Sequence, residues 1–313
     1  MKRKTDNFSK FFNKKSNSAI KEQIRQEKKA VKKERRESIE KHFEEKRNRK
    51  PPVLEPSGKS TVTQKANLKT EEELFPLNKY IAHSGVCSRR DAAQLIKEGK
   101  VELNGKPVTE PGTRVSTRDL VKVNGKKVTP SRNFVYILLN KPKDYITTTE
   151  DPQGRKTVLN LIKNATTERV YPVGRLDRNT SGVLLLTNDG DLAQKLAHPK
   201  HEVKKIYHVV LDKPLTRGDF EKIALGVELE DGVARVDAVA YGEAKDRTEL
   251  GLEIHSGRNR IVRRIFEHLG YDVRGLDRVV YAGLTKKNVP RGKWRLLTEK
   301  EVRLLKYLNA SAG

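Results

Sequence analysis

From Phe75 onward the chain switches repeatedly between two apolar periods, and before that point it shows neither. Leu77 to Ala82 puts its apolar residues on one helical face. Ser88 then caps a second helix, Arg89 to Glu98, whose Ala92, Ala93, Leu95 and Ile96 turn inward until Gly99 stops it. Val101–Leu103 and Leu120–Val123 alternate as strands, and Asn104-Gly105 and Asn124-Gly125 supply hairpin turns. Pro130 to Asn133 reads as a linker. Strands are predicted at 135–139, at Val173, at 183–186, at 207–211, at 233–239 and at 250–254. Helices are predicted at 191–197, 216–225, 260–269 and 299–308. Short turns between several strands imply a mainly antiparallel sheet, hence an α+β fold.

Residues 1–73 break this pattern. Lysine and arginine dominate them, as in Lys28-Lys29-Ala30-Val31-Lys32-Lys33, and apolar residues are too few to offset the entropy of ordering. The reading is a basic, disordered arm; 19–48 has the mixed charge of a lone solvated helix, and Pro51-Pro52 ends it. The arm either contacts polyanion phosphates or only aids solubility.

The 313 residues carry 66 Lys and Arg against 41 Asp and Glu, a net charge of +25. About half of it lies in the arm. Such an excess points to nucleic acid first and an anionic membrane second. No apolar run approaches the ~18 residues needed to span a bilayer. No apolar segment follows the basic N-terminus, so no secretory signal is read. A single cysteine, Cys87, excludes an internal disulfide framework and a cysteine-based zinc site, and a reducing cytoplasm fits. His198, His201, His208, His255 and His268 lack metal-ligand spacing, and there is no phosphate-binding P-loop. No metal and no cofactor is expected.

The stretch with the densest candidate chemistry runs from Gly174 to Gly190. Gly174-Arg175-Leu176-Asp177-Arg178-Asn179-Thr180-Ser181-Gly182 is a basic, glycine-bracketed loop with one carboxylate, and it feeds the uncharged run Val183–Leu186. Asn188-Asp189-Gly190 closes the run with turn chemistry. Asp177 is therefore a carboxylate on a loop at the mouth of a core strand. From the residues alone it is a loop-capping ion pair or a reactive acid.

The string GRLDRNTSGVLLLTNDGD resembles the signature loop of RNA pseudouridine synthases, with the catalytic aspartate at Asp177. LNKYIAHSGVCSRRDAAQLIKEGKVELNG resembles the S-four-type RNA-binding module, and Lys79, Arg89, Arg90 and Lys97 form its basic face. Together they resemble the bacterial RsuA family from about residue 75 to the C-terminus. The implied organisation is an arm at 1–73, a small αα–ββ RNA-binding domain at 74–130, and a catalytic domain at 134–309 with a mainly antiparallel mixed sheet and flanking helices.

The same resemblance assigns further roles. In the Lys-x-Tyr context of Lys205-Ile206-Tyr207, the tyrosine stacks on the target base; from the residues alone Tyr207 reads first as a core aromatic that reaches a partner with its hydroxyl. Ser256 to Phe266 carries four arginines around a helix start, which suits phosphate, or else forms a solvated basic face. The family pairs one basic residue of this segment with its aspartate; Arg263 is the positional match and Arg264 the competitor. Arg260-Ile261 stands where some relatives have His-Gln, which leaves the register open. Leu276, in Leu276-Asp277-Arg278-Val279, matches a leucine that lines the base pocket. Arg175, Arg258 and Arg264 are expected to contact substrate.

The activity implied is isomerisation of uridine to pseudouridine in ribosomal RNA, with a lean to large-subunit 23S rRNA, by a monomer that binds rRNA or a pre-ribosomal particle and no membrane. Two other classes remain: a non-catalytic rRNA-binding or ribosome-assembly protein, and a base-excising enzyme.

Overall fold

The structure, a computed structural model, describes residues 74–131, 133–242 and 246–307. The basic arm, with its expected helix, and Leu308 at the end of the last expected helix lie outside them.

The small domain runs β1 (Phe75–Pro76), α1 (Leu77–His83), α2 (Arg89–Lys97), β2 (Val101–Leu103), β3 (Lys106–Pro107), β4 (Arg114–Val115), β5 (Val121–Val123) and β6 (Lys126–Val128). Ser88 starts α2 through a capping box. Its side chain accepts from the Asp91 amide, and the Asp91 carboxylate accepts from the Ser88 amide. The two Asn-Gly turns place both residues at positive φ, at 52° and 84° for 104–105 and 49° and 75° for 124–125. This geometry closes a two-residue hairpin, and asparagine and glycine tolerate it best. The four strands β3-β2-β5-β6 form a small antiparallel sheet, and Leu77, Tyr80, Ile81, Ala92 and Ile96 pack against it.

The larger region contains β7 (Tyr136–Lys141), α3 (Val158–Leu161), β8 (Tyr171–Pro172), β9 (Ser181–Thr187), α4 (Gly190–Ala197), β10 (Lys205–Leu211), α5 (Arg217–Leu225), β11 (Val227–Leu229), β12 (Gly232–Ala234), β13 (Ala238–Tyr241), β14 (Glu249–Ile254), α6 (Ile261–His268), β15 (Val273–Tyr281), β16 (Leu284–Thr285), β17 (Trp294–Leu296) and α7 (Glu299–Tyr307). Its main sheet has the order β13-β14-β10-β15-β9-β7-β17, with β16 on β15 and β8 on β9. One pair, β9 with β15, is parallel, through Ser181 with Asp277 and Gly182 with Arg278. The mainly antiparallel mixed sheet expected from the sequence is therefore present.

Both faces of this sheet are covered. Leu184 and Leu186 of β9 join the core on one side, while Val183 and Leu185 join the core on the other. All seven residues of β9 are buried. A strand covered on both faces needs no polar alternation, and this is why its sequence is a continuous apolar run.

The expected strand at 233–239 is two strands. Gly232–Ala234 pairs with β11 in a separate hairpin, whereas Ala238–Tyr241 is the edge of the main sheet. Asp237 in the break bonds His255 at 2.7 Å.

Gly182, at φ +111°, marks the close approach of β9 to β15. A Cβ there would overlap the Arg278 backbone and lie 2.7 Å from an Asp277 carboxylate oxygen. Gly182→Ala should therefore lower stability by about 2–4 kcal/mol through overlap and backbone strain. Chemical denaturation measures this; an unchanged midpoint would mean that the β9–β15 pair yields freely.

Candidate active site

Asp177 lies on the loop between β8 and β9, and five consecutive carbonyls of that loop are held. Thr147 Oγ1 donates to Leu176 O at 2.7 Å. Lys141 Nζ donates to the carbonyls of Asp177 (3.0 Å), Arg178 (3.3 Å) and Thr180 (2.8 Å), and also to Pro142. Arg263 Nη2 reaches Asn179 O at 3.3 Å. The Asp144 amide adds a second bond to Arg178 O, and the Thr180 amide folds back on Asp177 O. Lys141 is wholly buried at the end of β7, where its strand partner is Gly182. Burial pushes its ammonium down to about 8, against the opposing pull of Asp177 and then Asp144.

The loop borders a cavity of about 200 Å³ lined by Arg175, Asp177, Tyr207, Leu276, Arg258 and Arg278, among others. Tyr207 and Leu276 are buried in the adjoining core. They come from adjacent strands, with Tyr207 opposite Arg278 and Val209 opposite Leu276. Five of the expected residues (Asp177, Tyr207, Arg175, Leu276 and Arg258) thus share one cavity.

Others are placed differently. The expected bond between Arg263 and the Asp177 carboxylate is not formed within 4 Å among the described ion pairs. Arg263 is buried on α6, donates to Val273 O at 2.9 Å and to Asn179 O, and does not line the cavity. Burial, then Arg260, pull its guanidinium below its ordinary range, while Asp177 opposes them. Its influence on the aspartate is thus a field across the loop it grips. Arg264, the alternative, turns away from the cavity and binds Asp231 at 2.6 Å. Arg258 binds the same carboxylate while still lining the cavity. Arg264 and then Arg258 hold Asp231 well below the usual carboxylate range.

On the small domain, Arg89, Arg90 and Lys97 are exposed on α2. Lys79 is not part of that open face: it forms an ion pair with Asp191 of α4 at 2.7 Å, because α1 packs beside α4. His83 of α1 also sits against Gly190, where a side chain would meet its ring.

Lys141, Lys205, Asp231 and Arg278 were not among the residues expected from the sequence. A lysine two residues after the apolar strand Tyr136–Leu139 is the available signal for the first; Lys205 and Arg278 stand in the motifs of Tyr207 and Leu276 without a role of their own, and Asp231 gives none at short range. Among the described residues, no group of three His, Cys, Asp or Glu is arranged to hold a metal.

Lys205 also lines the cavity, and burial, then Arg278, push it down to about 8 while Asp237 opposes. For both lysines the folded value lies below the ordinary 10.5, so between these values the unfolded chain holds more protons. Their stabilising contribution is therefore lost as pH falls through about 8 and recovered as pH climbs toward 10.5. Lys141→Met should flatten the rise of stability between those pH values, as read from denaturation midpoints. An unaltered rise would show that Lys141 is not the group that resists protonation.

The chain matches the RNA pseudouridylate synthase family over residues 135–268 and the S4 domain over residues 75–121. It is 45% identical over 235 residues to ribosomal large subunit pseudouridine synthase B of Bacillus subtilis (strain 168), covering 74% of this chain and 96% of the relative. It is 37% identical over 240 residues to the dual-specificity RNA pseudouridine synthase RluF of Escherichia coli (strain K12), covering 76% and 80%. A crystal structure of a pseudouridylate synthase superposes with a TM-score of 0.52 at 28% identity, covering 73% of this chain and 98% of that one. With the small domain, the sheet and nearly the whole length of a relative accounted for, this chain belongs to the RNA pseudouridine synthase family.

Proposed function

We propose that the protein isomerises a specific uridine to pseudouridine in ribosomal RNA, more specifically in the 23S RNA of the large subunit, as a cytoplasmic monomer. The observation that carries the reading is the cavity shared by Asp177, Tyr207 and Leu276, with the carboxylate on a loop whose carbonyls are held from Leu176 to Thr180. A preorganised acid beside an aromatic is the minimum that the reaction needs, since no redox change and no hydrolysis occur. The name of the Bacillus subtilis relative supports ribosomal, large-subunit RNA, and that of the Escherichia coli relative supports an RNA substrate.

In this reading the uridine leaves its helix and enters the cavity. Flipping costs a few kcal/mol, and stacking on Tyr207 with phosphate contacts offsets it. Asp177 is the catalytic carboxylate and acts at the sugar–base bond. Leu276 forms an apolar wall. Arg263 is a positioning residue, since it holds Asn179 two residues beyond Asp177. Arg175 and Arg258 meet substrate at the cavity, and exposed Arg89, Arg90 and Lys97 supply affinity through phosphates.

Asp177→Asn should abolish pseudouridine formation in unmodified ribosomal RNA while RNA affinity stays within about three-fold, because affinity comes mainly from phosphate contacts. Pseudouridine mapping and a binding assay on one preparation measure both. Turnover at the normal rate would remove Asp177 from the chemistry, and release of free uracil by the unaltered protein would support base excision instead.

Deleting residues 1–70 should make RNA affinity less sensitive to salt, with the slope falling by about 0.7–0.9 for each phosphate that the arm neutralises in the full chain. An identical slope would mean that the arm touches no phosphate.

A further inference from the structure

The cavity has more positive charge than its internal partners neutralise. Five basic side chains line it (Arg175, Lys205, Arg258, Arg260 and Arg278) with one carboxylate, Asp177. Arg258 is matched by Asp231 and Arg260 by Glu267, both from outside the lining. Arg175, Lys205 and Arg278 have no such partner among the described ion pairs.

Of these, Arg278 is sunk in the wall and Lys205 is half-buried in it. Arg278 is 3% exposed, and its guanidinium stacks 4.3 Å from the centre of the Tyr281 ring. Its Nε donates to Val183 O at 2.9 Å, whereas its buried Nη2 has no acceptor among the described residues. Lys205 spends two of its three N–H bonds on Val203 O (2.8 Å) and His255 O (2.6 Å). Neither cation has a carboxylate within 4 Å among the described ion pairs. Asp237 acts on Lys205 only from beyond that distance; a cation held so far from counter-charge is costly to keep, and a buried donor without an acceptor adds to that cost. An anionic oxygen entering the cavity would offset both.

Position selects which anion. Arg278 lies directly across the strand pair from Tyr207, the residue proposed to stack on the base, and two residues beyond Leu276. Arg278 and Lys205 thus belong to the lining of the cavity in which a base would be held. When the bond between N1 of uracil and C1′ of ribose breaks with its electron pair left on the base, the negative charge spreads over N1 and the O2 and O4 carbonyls. The same pair later forms the C5–C1′ bond; C5 loses its proton and N1 gains one, so nothing is oxidised or reduced. Between these steps the base is an anion with carbonyl oxygens in need of donors.

We propose that Arg278 and Lys205 form an anion-stabilising wall that binds the carbonyl oxygens of the detached uracil. This rests on the uridine-isomerising reading and adds to it the group that receives the charge. It also explains how a freed base stays in the cavity while it turns: the attraction to the wall is greatest when the base is no longer bonded to the sugar.

The test uses the full-length protein and two free bases, uracil and 5-nitrouracil; the second is acidic enough to be an anion at neutral pH. Equilibrium dialysis should show 5-nitrouracil bound about ten-fold more tightly, as charge-assisted bonds are roughly twice as strong as neutral ones. Lys205→Met and Arg278→Gln should each reduce this preference. In single-turnover assays Arg278→Gln should slow isomerisation about a hundred-fold, as removal of a charge-stabilising donor does, while RNA affinity holds within about three-fold. Equal affinity of the unaltered protein for the two bases, or no binding of the anion, would overturn the proposal even if Arg278→Gln fails to fold. If the unaltered protein converts uridine yet shows no such preference, the wall is refuted and the enzyme reading stands. If it converts none, the enzyme reading itself fails.

Discussion

A single buried ammonium organises the site. Lys141 Nζ reaches carbonyls on both sides of the Asp177 turn, so the loop is hung from the end of β7 as well as from its own strand β9. Main-chain carbonyls suit this task better than a carboxylate would. They satisfy the donors without cancelling the charge, and they leave the Asp177 side chain outside the bond network. The cost is a lysine that resists protonation, and the depressed value of about 8 is its record. Arg263 acts on the opposite side in the same manner, through Asn179 O. The loop is thus fixed by two cations that never touch its carboxylate, and the acid is aimed by backbone geometry alone.

This arrangement depends on how closely β9 and β15 approach. They are the parallel pair of the sheet, and Gly182 permits the approach. Asp277, on β15, accepts from Ser181 Oγ at 3.0 Å and is itself tied to Lys286 and Arg291. The first residue of β9 is therefore anchored to a half-buried acid just where the loop ends. Tyr207, Leu276 and Arg278 then follow from strand register, because β10 and β15 are neighbours. The cavity is accordingly built on strands, which hold side chains more accurately than loops do.

What could be read along the chain was whatever has a local cause. The capping box at Ser88 and Asp91 spans four residues, and each Asn-Gly turn spans two. The run Val183–Leu186 announces a strand buried on both faces by composition alone. The long-range bonds were illegible. Lys141 and Thr180 are 39 residues apart, Arg264 and Asp231 are 33 apart, and Arg278 and Val183 are 95 apart. No period in the sequence connects them. The break in the expected strand 233–239 has the same origin, since the two halves pair with different partners. Lys79 shows the limit from another side: its residue type fits an RNA-binding face, but the packing of α1 beside α4 gives it to Asp191.

The distribution of arginine partners turns a uniformly basic composition into a graded surface. Asp231 sits at the tip of the β11–β12 hairpin and binds Arg258 and Arg264 together. Two guanidinium groups that would repel one another are thereby held side by side, one at the cavity and one behind it. Arg258 also donates to Val233 O and Gly232 O, so the hairpin fixes its orientation as well as its charge. A planar guanidinium held in this way keeps a defined face toward the cavity, and that would discriminate among approaching phosphates by direction. Among the described residues Arg89 and Arg90 have no such tether, and they suit contacts that need only opposite charge. Asp231 therefore sets Arg258 apart from the arginines of α2, fixing one guanidinium beside the cavity while the others stay exposed. That division separates aiming from affinity in a chain whose net charge of +25 would otherwise attract polyanions everywhere.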